Sequence, residues 1–91
     1  MNKYDMEKAA KLLKAMANEK RLNILYYIRN EEMNVSEIEK LVDLSQSALS
    51  QHLAILRKQQ IVKTRRKSQT IYYSLKDKKT EKLLDVLEEL F

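Results

Sequence analysis

Five polar side chains crowd one short stretch of this chain: Gln46, Ser47, Ser50, Gln51 and His52. Their spacing suits hydrogen bonding, not covalent catalysis. A glutamine amide can pair with adenine at N6 and N7, and a serine hydroxyl can donate to or accept from several bases. Further along stand Arg57 and Lys58, then the run Arg65, Arg66 and Lys67, closely followed by Gln69. Guanidinium and ammonium groups in such a row suit phosphate. Each residue also has a plainer reading. Ser and Gln can cap and solvate an exposed helix, and basic residues are common on a hairpin edge. Arg57 and Lys58 suit the negative end of a helix dipole equally well.

Charge favours the polyanion. From Leu44 to Lys76 there is no Asp or Glu, yet seven Lys or Arg fall in that window. The remaining 11 basic residues face all 13 acidic ones, so the rest of the chain is net acidic while the whole carries +5. A basic segment beside an acidic remainder points to a nucleic-acid face and a separate supporting body.

Other classes of chemistry lack their residues. With no cysteine there are no disulfides, thiolate metal sites or thiol sensors in this chain. His52 is the single histidine, a poor start for a metal site. Glu81, Asp85, Glu88 and Glu89 read as exposed helix charge and not as a cation cage. Glycine and proline are absent, which excludes glycine-built phosphate loops and nucleophile elbows. No nucleophile–base pair stands out. The expectation is therefore a non-enzyme with no metal and no cofactor. The charged start, MNKYDMEKAAKLLKAM, has no apolar signal core, and no stretch reads as membrane-spanning. That suits a cytoplasmic protein.

A single domain of 91 residues must position these groups. Met6, Ala9, Ala10, Leu12, Leu13 and Met16 follow helical spacing from Asp5 to Met16. Asn18 is placed to cap a second helix with Leu22, Ile24, Leu25 and Ile28 inward. Residues 30–34 read as a polar break. Ser36 and Glu39 form an S-x-x-E box opening a short helix with Ile38, Leu41 and Val42 inward. Ser45 can cap a helix from about Gln46 to Gln59 with Leu49, Leu53 and Leu56 inward and Ala48 and Ile55 alongside. The period then changes: IVKTRRK and TIYYSL read as strands joined through Lys67, Ser68 and Gln69. Helical spacing returns after Asp77. The expected class is mainly α with a β-hairpin wing, in the order α-α-α-α-β-β-α: a winged helix-turn-helix.

The terminal helices carry more apolar surface than a small monomer needs. Leu12 and Met16 at one end, with Leu83, Leu84, Leu87, Leu90 and Phe91 at the other, would form a homodimer seam.

Three stretches carry a resemblance to the ArsR/SmtB family of bacterial winged-helix repressors: LKAMANEKRLNIL at 13–25, LSQSALSQHLAILR at 44–57 and TRRKSQTIYYSL at 64–75. The wording is most similar to the subset containing the biofilm, persulfide-sensing and haemolysin-virulence regulators. The resemblance implies a homodimer built on the first and last helices, bound to an imperfect inverted repeat in double-stranded promoter DNA. It places recognition at Gln46, Ser47, Ser50, Gln51 and His52, and the wing at Arg65, Arg66, Lys67, Ser68 and Gln69. The family's usual triggers are missing. NVSEIEKLV lacks the metal branch's cysteine, the last helix has no histidine, and Tyr26 or its neighbour stands where the persulfide subset has a cysteine. Gln60 and the Lys67-Ser68-Gln69 turn replace glycines usual in the family.

The expected function is a dimeric repressor. A positive regulator that displaces a nucleoid-silencing protein, or a module whose basic face binds an acidic protein, are the alternatives.

Overall fold

A computed structural model describes all 91 residues. Five helices and three strands follow one another: α1 (Lys3–Met16), α2 (Glu19–Ile28), β1 (Met33–Asn34), α3 (Val35–Leu41), α4 (Gln46–Lys58), β2 (Val62–Lys67), β3 (Thr70–Leu75) and α5 (Lys78–Leu90). No helix is long and apolar enough to cross a membrane.

Local signals set most boundaries. The Asn18 side chain accepts from the Arg21 N–H at 3.0 Å, and Ser45 Oγ accepts from the Ala48 N–H at 3.1 Å. Each satisfies a donor that a helix start leaves free. The inward residues of α4, Leu49, Leu53 and Leu56, are nearly fully buried and meet Ile24, Leu25 and Ile28 of α2 and Ile38 of α3 in one core.

The expected break at 30–34 instead contains a strand. Met33 pairs with Tyr73 and Asn34 with Tyr72, so the hairpin becomes a three-stranded antiparallel sheet in the order β1-β3-β2. This moves the start of α3. The chain leaves the sheet at Asn34, whose side chain accepts from the Glu37 N–H at 2.8 Å while Glu37 Oε1 accepts from the Asn34 N–H at 2.9 Å. The capping box is thus Asn34–Glu37 and not Ser36–Glu39. Leu41, expected inward, is exposed because α3 ends there and the extended Val42 turns into the core instead. Ile55 of α4 is also exposed.

Gln60 ends α4 at φ 58°. The Ile61 N–H bonds to the Leu56 carbonyl and the Gln60 N–H to the Arg57 carbonyl, both at 3.0 Å. With Ile61 and Leu56 buried together, this is a Schellman stop in which Gln holds the place glycine usually takes. The wing turn has two residues, since Lys67 pairs with Thr70, and Ser68 takes φ 57°. A positive φ at the first central residue alone has the sign pattern of a type II′ turn. Both positions carry a Cβ in the left-handed region, which costs about 1–2 kcal/mol relative to ordinary backbone. Gln60→Gly is therefore expected to raise the urea midpoint, by about 0.5–1 kcal/mol of stability at unchanged m-value. A fall in midpoint would show that the Gln60 amide, which accepts from Lys76 Nζ, outweighs the backbone strain.

Arg29, at the end of α2, is largely buried and pairs with Asp85 and Glu88 of α5. Asp85 and Glu88 are exposed, as expected of helix-face charge, and they also fasten α5 to the body.

Candidate nucleic-acid interface

Ser45 and the stripe of leucines together decide what α4 shows to solvent. Leu49, Leu53 and Leu56 turn one side into the core, so Gln46, Ser47, Ser50 and Gln51 are exposed on its N-terminal half. The helix start also offers free N–H groups and the positive end of the dipole, a favourable setting beside phosphate. Farther along, exposed Arg57 and Lys58 flank a shallow groove with Ser50, Ala54 and Tyr73 of the sheet.

His52 lies differently from its neighbours. It is half-buried, and its Nδ1 sits 3.2 Å from Nη1 of Arg21 on α2. Arg21 Nε in turn donates to the Ala15 carbonyl at the end of α1. A guanidinium only donates, so Nδ1 must accept and the ring proton belongs on Nε2. That leaves Nε2–H as the ring's one remaining polar group, a donor. Sequence spacing did not show this tie, because Arg21 and His52 are far apart along the chain.

Burial, and then the Arg21 charge, hold the His52 pKa below the usual histidine value. Above pH about 6.5 the ring is neutral in folded and unfolded chains alike. As pH falls below that, the unfolded chain takes up the proton first, so folding stability declines until the lowered folded pKa is passed. Urea melts at pH about 7.5 and about 5.5 are expected to show this loss, and His52→Gln should shrink it. An equal decline in the variant would assign the effect to other groups.

Alternation along β2 separates the wing's basic residues. Arg65 pairs across the ladder with Tyr72, and Arg66 with Ile71. Arg66, Thr64 and buried Val62 share one face of the strand, while Lys63, Arg65 and Lys67 share the other. Arg66 is exposed, and its Nε donates to the Ser68 carbonyl at 3.2 Å, folding it over the turn. Lys67 and Gln69 are exposed at the tip. No ion pair engages Arg57, Lys58, Lys63, Arg66 or Lys67.

Arg65 is the exception. Its Nε lies 3.0 and 3.1 Å from the two carboxylate oxygens of Glu32, its Nη2 also donates to Glu32, and its guanidinium lies 4.9 Å from the centre of the Tyr72 ring. The Arg65 hydrogen bond holds the Glu32 carboxyl below the usual carboxylate range, and the Lys63 and Lys67 charges add to this. The same pairing raises Arg65. Glu32 was invisible in the sequence, where it looked like one polar residue of a break.

The residues expected at a dimer seam fall into three groups. Met16 and Leu84 are only 4% and 6% exposed and belong to the subunit's own core. Leu12, Leu83 and Leu87 are half-buried, whereas Leu90 and Phe91 stand in solvent. Leu13 and Val86, absent from the expected set, are exposed as well. No three acidic or histidine side chains gather as metal ligands.

A short helix, a tight turn, a helix with polar residues outward and a basic hairpin beside it define a winged helix-turn-helix, the architecture of a DNA-binding transcriptional regulator. Residues 18–64 match the family described as bacterial regulatory protein, arsR family, and the chain belongs to that family. It is 45% identical over its whole length to the transcriptional activator HlyU of Vibrio cholerae, covering 88% of that protein. The solved HlyU structure superposes with a TM-score of 0.92, over 100% of this chain and 98% of that one. Nodulation protein NolR of Rhizobium meliloti is 52% identical over 96% of this chain and 71% of its own length. The biofilm growth-associated repressor of Xylella fastidiosa is 36% identical over all of this chain and 83% of its own.

Proposed function

We propose that this regulator works as a homodimeric repressor in the cytoplasm, binding an inverted repeat in promoter DNA and excluding polymerase. One observation carries the reading: exposed Gln46, Ser47, Ser50 and Gln51 lie on the same molecule beside a wing whose Arg66 and Lys67 have no acidic partner. Each subunit lays α4 into a major groove, where the glutamine and serine side chains select bases. Arg57, Arg66, Lys67 and Gln69 meet the backbone or the adjacent minor groove. His52 adds a donor through Nε2. Arg65, on the same strand face as Lys67, is already paired with Glu32. The partner copy is met through the exposed apolar residues of α1 and α5. The protein acts by occupancy and performs no catalytic step.

The Xylella relative is named a repressor, which supports repression. A second reading has its own support, since the Vibrio relative is named an activator: the same dimer would then displace a silencing protein from the promoter.

Selection of sheared genomic DNA on the purified protein tests the proposal, with Gln46→Ala/Gln51→Ala as control. A shared inverted repeat that the control no longer enriches is the expected result. Retained DNA without a common sequence would replace it with nonspecific binding, and no retention would bring forward an acidic protein partner. Transcript levels of the selected genes in a deletion strain then separate repression, where they rise, from activation, where they fall.

A further inference from the structure

Glu32 is the acidic residue that the wing's basic face does contain. β2 and β1 lie at opposite edges of the sheet with β3 between them. Glu32 immediately precedes β1, yet its carboxylate receives Nε and Nη2 of Arg65 on β2. The Arg65 guanidinium meanwhile lies over the ring of Tyr72 on β3. One ion pair and one cation–π contact thus span all three strands.

Electrostatics alone gives this carboxylate no reason to be there. It sits among Lys63, Arg65 and Lys67, cancels the charge of one of them and repels phosphate. A face that needed only positive charge would omit it. What the pair does supply is geometry. Beyond the body the wing is a two-stranded hairpin closed by Ser68 and Gln69 without glycine, and an isolated hairpin of that kind is marginally stable. The β1–β3 ladder ends at Tyr72, so only residues 66–71 project as two strands, and the Arg65–Glu32 pair braces the hairpin where that projection begins. Bracing it there fixes its direction before DNA arrives, which lowers the ordering cost of binding.

We infer that Glu32 is a positioning residue for the wing, acting through Arg65 and improving DNA affinity although it removes positive charge from the DNA-binding face. The inference rests on the reading of the wing as a DNA contact.

The test measures affinity for the selected operator across salt for the wild type, Glu32→Gln, Arg65→Ala, their double variant and Arg66→Ala/Lys67→Ala. Each preparation is titrated to stoichiometry, so that only folded protein is counted. Glu32→Gln is expected to weaken binding about threefold to tenfold, the scale of ordering one or two side chains. Arg65→Ala should weaken binding similarly with no loss of salt slope, and the double variant should be no weaker than Arg65→Ala. Arg66→Ala/Lys67→Ala should instead reduce the slope by about 0.9 for each phosphate left without its cation. Tighter binding by Glu32→Gln would make Glu32 a competitor for Arg65, and additive losses would separate the two residues; either overturns the inference. Unchanged binding by Arg66→Ala/Lys67→Ala would remove the wing from the DNA interface, and this inference with it.

Discussion

Operator affinity is expected to fall by about 10³–10⁵-fold when monovalent salt rises from about 50 to about 200 mM. The size follows from the side chains that can meet phosphate. Seven basic residues lie between Leu44 and Lys76, but two of them are engaged elsewhere in the fold. Arg65 is paired with Glu32, and Lys76 turns to Gln60. Arg57, Lys58, Lys63, Arg66 and Lys67 are exposed without an ion pair. If about three to five of these meet phosphates in each subunit, a dimer neutralises about 6–10 phosphates, and each one releases condensed cations. The check is a plot of log affinity against log salt. Its slope should lie near −0.9 for each phosphate met, and Gln51→Ala should shift the line down without changing that slope. A slope near zero would end the phosphate mechanism, whatever the affinity.

Helix α4 was legible in the sequence because its signals are local. Ser45 caps it, the 49–53–56 stripe buries one side, and Gln46, Ser47, Ser50 and Gln51 lie off that stripe. The hairpin was legible for the same reason, since β-branched and aromatic residues change the period at Ile61. What escaped depends on distant partners. Met33 and Asn34 form a strand only because Tyr73 and Tyr72 lie beside them, and two residues carry no periodicity of their own. Glu32 finds Arg65, and Arg21 finds His52, only in the folded chain. Met16 and Leu84 fit an apolar helical stripe equally well as seam or as core, and their burial decided for the core. The missing glycines were legible as a departure from the family, and the structure gives their physical cost: Gln60 and Ser68 are the two residues with positive φ.

Leu13→Lys/Leu90→Lys is expected to convert the protein to a monomer and to weaken operator binding by about 10²–10⁴-fold, the factor that joining two half-site contacts contributes. These two leucines are 55% and 69% exposed in the single subunit, so replacing them empties no core. Both lie in the last turn of their helices, where a lysine complements the dipole and does not weaken the helix. Within an α1–α5 seam the same lysine would have to lose its water without a partner, which an interface does not tolerate. The substitutions also add positive charge, which by itself would strengthen attraction to DNA. A loss of affinity therefore cannot come from simple electrostatics and must come from the loss of the second copy. Sedimentation checks the mass, circular dichroism the helix content, and a half-site duplex the integrity of the DNA face. Loss on the full operator with unchanged half-site binding is the result that assigns the dimer to these helices. A variant that stays dimeric and binds the full operator normally would place the seam elsewhere and leave Leu13 and Leu90 as exposed surface.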